Sequence, residues 1–216
     1  MKGIYLHPLP LRIWHWANAL TIVILIITGI RLRIPGIAAL RPHDPLLLLH
    51  QYAGWAMVAS SLFWFAYGMA GGYLRRQFLM KKGDLTGILR QSRYYLISIF
   101  RGEKDPFQPS AEEKYNPLQK LAYGTVMFIF VPVQVATGLF FSHVGILRKY
   151  ALLWDMAGPL NAIHVIGAYL FVLYLIVHFY MATLGPTVFS HIRAMITGYE
   201  AVNAVEGGKT KHLAGR

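Results

Sequence analysis

Four long apolar runs constrain this chain more than any other feature. They lie at about residues 11–30, 45–71, 117–141 and 159–184. Each meets the roughly 20 residues that a helix needs to cross the ~30 Å hydrocarbon layer of a bilayer. Inside lipid a backbone must satisfy its own N–H and C=O groups, and an unbroken apolar run does so as a helix. Composition agrees, since only 14% of the 216 residues are charged and 56% are hydrophobic, where soluble domains carry roughly a quarter charged. The expectation is an all-α integral membrane protein, a four-transmembrane-helix bundle forming a single domain over residues 1–216. The first run could pass for a signal peptide. Its length and the lack of a small-residue cleavage site after it read instead as an anchor.

Charge orients the bundle. Lys and Arg number two before the first span and ten between spans two and three, from Arg75 to Lys120; Arg193, Lys209, Lys211 and Arg216 follow span four. The opposite side holds only Arg31, Arg33, Arg41, Arg148 and Lys149. The positive-inside rule then places both termini and the long middle loop in the cytoplasm. The net charge of +12 is accounted for by topology and anionic lipid rather than nucleic acid. The middle segment "LTGILRQSRYYLISIF" mixes basic and apolar residues at near-helical spacing, which predicts a short helix at the cytoplasmic interface. No segment is large enough for a separate soluble catalytic domain. The chain has no cysteine, which excludes thiolate catalysis, chain-held iron–sulfur clusters and covalent c-type haem.

Nine histidines are present, and His15, His50, His164 and His178 fall inside spans. Ionisable groups at membrane depth are costly and usually functional. His15 lies about one turn into span one, near the inner face. His50 and His164 each lie about one turn into a span that starts outside. His178 comes fourteen residues after His164, about 21 Å deeper at ~1.5 Å per residue. Fourteen steps of about 100° fall within about 40° of four full turns, so both share one helix face. Depth alone therefore pairs His15 with His178 inside and His50 with His164 outside.

Two histidines from facing helices at one depth can clamp a planar macrocycle, and bis-imidazole ligation suits electron transfer rather than oxygen chemistry. A metal such as zinc would want three or four clustered ligands, which this spacing does not supply. Proton relay remains open, although only Asp155 stands near to extend one. His43 and His143, at the outer surface, are reserve ligands. His7, His191 and His212 read as solvated loop residues. "ITG" near the end of span one and "ATG" near the end of span three are read only as small residues permitting close helix contact.

The stretches "PLRIWHWANALTIVILIITG", "HQYAGW", "KYNPLQKLAY" and "HVIGAYLFVLYLIVH" resemble the prokaryotic cytochrome b561 superfamily. Within it they are similar to the cytochrome b subunits of nickel–iron hydrogenases, formate dehydrogenases and thiosulfate reductases. The resemblance covers nearly all of residues 5–195. It implies two b haems, with His15 and His178 matching the axial ligands of the inner haem and His50 and His164 those of the outer. It also implies a quinone site (menaquinone or ubiquinone) near the inner haem, where Asn116, Gln119 and His178 match. Arg12 inside, and Arg41 or Arg31 outside, could neutralise haem propionates, with interfacial snorkelling as the competing reading. Gly54 would let a haem approach the backbone. Trp16 and Tyr115 read as interface anchors.

The function this implies is a dihaem b-type membrane subunit of a respiratory oxidoreductase. It would carry electrons between an outer iron–sulfur partner, joined to catalytic subunits, and a quinone near the cytoplasm. Two rivals stand beside it. One is a free-standing cytochrome b561 that exchanges electrons between quinone and a small oxidant or reductant. The other is a haem-free membrane anchor or transporter.

Overall fold

The computed structural model describes residues 3–34, 44–107, 109–110, 112–143, 149, 155–185 and 187–201. Helix α1 spans Leu9–Arg33, α2 Pro45–Ala70, α3 Tyr73–Phe78 and α4 Asp84–Leu96. A 3₁₀ turn at Ser98–Arg101 follows. The third span is composite, with α5 at Pro117–Thr125, a π turn at Val126–Phe130 and α6 at Val131–Ser142. Helix α7 spans Ala157–Ala182 and α8 Ser190–Thr197. The four long helices match the expected spans to within about three residues, the scatter usual at helix ends.

Local chemistry explains where these helices begin. Asp44 caps α2 by accepting from Leu46 N at 2.8 Å, with Pro45 next. Asn116 and Gln119 form a reciprocal capping box around Pro117 at the start of α5. Proline suits both first positions, because its missing N–H would have no partner in the helix anyway. Within span three, Pro132 cannot donate and would clash with the carbonyl four residues back. The π turn immediately before it relieves that conflict. The extra residue also re-aims everything beyond it, Gln134 and Thr137 included, by about 100° relative to an unbroken helix.

The helices close into a ring, with α1 on α2, α2 on α6, α6 on α7 and α7 back on α1. Trp14 Nε1 donates to the Ser60 carbonyl (3.0 Å), and Ser60 Oγ donates to Asn18 (2.9 Å), tying α1 to α2. Ile13, Leu20 and Ile27 stay exposed at seven-residue intervals along α1, an apolar stripe suited to lipid rather than water.

The end of the bundle where the described chain starts and stops is the inner end below. Here the fold contains more than the single loop helix read from the sequence. Strand β1 (Gly3–Tyr5) pairs antiparallel with β2 (Tyr199–Ala201), placing Ile4 opposite Glu200. His7 and His191, expected to be solvated, both face the buried Glu200, at 3.6 and 2.7 Å. Burial raises the Glu200 carboxyl, but the two imidazoles outweigh it and hold it at about 2. Helix α4 and the 3₁₀ turn leave Leu85, Leu89, Leu96 and Phe100 exposed, which suits the expected interfacial face. On their packed side Lys120 is almost wholly buried between Asp84 and Glu113, each at 3.3 Å.

Candidate functional site

The ring of helices brings the four intramembrane histidines together as two pairs. His15 on α1 faces His178 on α7 with ring centroids 6.2 Å apart and planes at 48°. His50 on α2 faces His164 on the same α7, 6.3 Å apart at 77°. Helix α7 thus contributes one imidazole to each end of the bundle.

The outer pair is held by hydroxyls. His50 Nδ1 lies 2.7 Å from Thr28 Oγ1, and His164 Nδ1 lies 2.9 Å from Thr137 Oγ1. Each threonine also donates to the carbonyl four residues back in its helix, Thr28 to Ile24 (2.7 Å) and Thr137 to Val133 (2.8 Å). A hydroxyl has one hydrogen. With that hydrogen on the helix carbonyl, each oxygen accepts from Nδ1–H, and this network assigns the free lone pair to Nε2. Gln134 Nε2 donates to the His164 carbonyl at 3.0 Å.

Glycines stand beside the same rings. A Cβ built on Gly29 would lie 3.4 Å from His50 Cε1, and one on Gly138 would lie 3.5 Å from His164 Cε1. A Cβ on Gly54, one turn beyond His50, would meet nothing within 4 Å. That leaves room for a flat group against the α2 backbone.

The inner pair is framed by rings. Tyr174 stacks on His178 at 5.7 Å and 20°, Tyr123 meets it edge-on at 6.4 Å, and Trp16 meets His15 edge-on at 5.2 Å. His15 Nδ1 is buried without a hydrogen-bond partner among the described residues. Trp16 Nε1 donates to the Met195 carbonyl at 3.0 Å, and Arg12 donates to the Ile196 carbonyl, so α8 is pinned beside this site.

A profile of prokaryotic cytochrome b561 matches residues 6–198, a stretch that contains both histidine pairs. The chain belongs to the prokaryotic cytochrome b561 family. It is 29% identical over 201 residues to YdhU of Escherichia coli K12, named as a cytochrome, covering 92% of this chain and 75% of that one. It is 24% identical to two proteins named as Ni/Fe-hydrogenase B-type cytochrome subunits. The Cupriavidus necator protein aligns over 92% of this chain and 87% of its own length. The Bradyrhizobium diazoefficiens protein aligns over 83% and 77%. This b561-family chain is accordingly a multi-pass membrane cytochrome of electron transport, and its family implies b-type haem.

The histidines fit that group. An imidazole nitrogen binds a transition metal at about 2 Å and lies about 1.1 Å from its own ring centre, so two trans imidazoles sit about 6.3 Å apart. Both pairs have this separation. Among the described residues no cluster of three or more His, Cys, Asp or Glu is placed to hold a bare metal ion.

Other expected site residues in this cytochrome have mixed placements. Arg41 and His43 lie outside the described residues. Arg31 sits exposed in the last turn of α1. His143 gives Nδ1 to the Leu139 carbonyl (3.0 Å) and packs on Trp55. Asn116 is buried, and its amide donates to Tyr95 Oη (3.1 Å) while its oxygen accepts from Gln119 N (2.8 Å). Gln119 Oε1 accepts in turn from Asn116 N. Both side chains are therefore engaged in building the start of α5. Tyr115, expected to anchor at the interface, turns inward instead. Its hydroxyl lies 2.8 Å from that of Tyr73, and its ring lies 5.1 Å from Tyr123. Thr28, Thr137, Gln134, Tyr123 and Tyr174 were missed as site residues. The repeated Thr-Gly of "ITG" and "ATG" is the signal for the two threonines, and the other three have none.

Proposed function

We propose that this chain is the dihaem b-type membrane subunit of a respiratory oxidoreductase. His15 and His178 would hold the inner haem, and His50 and His164 the outer. The observation that carries this reading is the pair of bis-imidazole separations, 6.2 and 6.3 Å, at two depths of one bundle. A b haem held between two such imidazoles would supply reversible one-electron chemistry rather than oxygen chemistry. The chain's own residues do the rest. Helix α7 spaces the two sites about 21 Å apart along its axis, the apolar spans exclude water, and Gly54 leaves room beside His50. Arg12, at the inner end, would offset propionate charge alongside its bond to the Ile196 carbonyl.

Electrons would pass between an iron–sulfur protein on the outer side, linked to a catalytic subunit, and a quinone near the inner site. The hydrogenase-subunit names of two relatives support such a partner. The basic inner segments support a cytoplasmic placement of both termini. For the quinone, the support is the matching of Asn116, Gln119 and His178 to the family pattern. Replacing Asn116 with Ala removes the cap and should lower stability by about 1 kcal/mol in either case; a quinone contact would in addition change quinol-dependent haem reduction with both haems retained.

A pyridine haemochrome assay on the purified chain tests the central claim. Two b haems per folded chain are expected; one or none overturns it. Co-purification of an iron–sulfur subunit separates this reading from a free-standing cytochrome.

A further inference from the structure

Two unrelated stretches of the chain build the same small device around the outer histidines. Thr28 and Gly29, near the outer end of α1, receive the ring of His50 from α2. Thr137 and Gly138, near the outer end of α6, receive the ring of His164 from α7. In each case the hydroxyl meets Nδ1, at 2.7 and 2.9 Å. In each case the glycine leaves space for the neighbouring ring carbon, Cε1. Both threonines are nearly inaccessible, at 2% and 4% exposure. At this depth each oxygen bridges an imidazole and a helix carbonyl, with no water to compete.

We propose that Thr28–Gly29 and Thr137–Gly138 are paired positioning cradles that set the electronic character of the outer site. By accepting from Nδ1–H, each threonine fixes one tautomer and keeps the Nε2 lone pair aimed at its partner ring. The same bond makes the imidazole a more basic ligand. A more basic ligand favours the oxidised iron, so the cradles hold the outer haem at a lower potential than unbonded histidines would. The two glycines keep ring and hydroxyl in register, since a Cβ there would already touch Cε1 and any side chain longer than alanine's would push it away.

His15 has no such acceptor among the described residues. The device therefore distinguishes the two sites within one chain. This inference rests on the haem-ligand reading of the proposed function.

The test uses the full chain in detergent, with both haem content and the two midpoint potentials measured by redox titration. The variants are T28V, T137V and their double, with T28S and T137S as rescues. Thr21→Val is the control, because Thr21 makes the same bond to the carbonyl four residues back (Ala17, 2.9 Å) but belongs to no described histidine pair. Each valine variant is expected to raise one potential, the same one, and the double to raise it further. Outer-haem retention should weaken on the order of tenfold. The inner potential, the serine variants and T21V should match the parent.

Equal movement of both potentials, or no movement with both haems retained, overturns the proposal. So does a serine variant that behaves like valine. If the valine variants do not fold, the serine variants still decide, because their haem potential must equal the parent's while the cognate Gly29→Leu and Gly138→Leu changes, which drive atoms into Cε1, displace it. A parent chain lacking two haems would instead sink the dihaem reading, so the two failures are distinguishable.

Discussion

The two histidine pairs share one separation and differ in their main support, although Phe141 also meets His164 edge-on at 6.2 Å. The outer rings are fixed by directional hydrogen bonds to the hydroxyl oxygens of Thr28 and Thr137. The inner rings are held by aromatic neighbours, Tyr174, Tyr123 and Trp16, and by the α8 segment docked beside them. A hydrogen bond selects a tautomer and changes basicity. Ring packing restrains orientation and excludes water while leaving the ring's electronics less altered. The same ligand geometry is thus reached by two kinds of support, with different sensitivities.

The largest expected break in this comparison is ligand removal. His178→Ala should lose one b haem per chain while the other keeps its spectrum, and His164→Ala should lose the other. Difference spectra with a haemochrome count read this directly. If both haems vanish in both variants, the sites are not independent.

Next comes the charge network at the inner end. Lys120→Met leaves Asp84 without its buried partner and Glu113 with only the exposed Lys81, a loss of about 1–3 kcal/mol. Thermal unfolding should fall accordingly, and the inner site should fail before the outer.

Tyr174→Leu removes the ring stacked on His178, worth about 1 kcal/mol beyond its area. The inner haem's spectrum should broaden, with the outer potential unchanged. An outer shift would show that packing, too, couples the sites.

The smallest effect is acid sensitivity of the clasp between β1, β2 and α8. Glu200 stands near 2 when folded against an ordinary 4.5. The stability it contributes is complete above about pH 4.5 and is lost as pH falls towards 2. Hydrogen exchange in Gly3–Tyr5 and Tyr199–Ala201 should rise over that window while the Thr28 and Thr137 segments stay protected. Glu200→Gln should abolish the step.

Much of this architecture is local and therefore legible. Apolar length marks the four spans, because the bilayer demands it of any chain. The fourteen residues between His164 and His178 put both on one face, because the helical repeat requires it. The loop helix was also visible, since Leu85, Leu89 and Leu96 recur at its period. The three-residue strands were not, because so short a segment carries no period and its partner lies at the opposite end of the sequence. His7 and His191 looked solvated for the same reason: their shared carboxylate arrives only through that pairing.

The sequence by itself determined four membrane helices and the depth of each histidine, because length and periodicity act along the chain. Only the tertiary structure decided what each imidazole's second nitrogen meets. Thr28 and His50, or Thr137 and His164, sit on different helices, and their meeting depends on how α1 lies on α2 and α6 on α7. The π turn before Pro132 affects the second meeting as well, by rotating Thr137 about the helix axis. The repeated Thr-Gly marks one partner of each contact, but nothing beside it names the histidine that it will meet. The contacts exist only once two helices have packed.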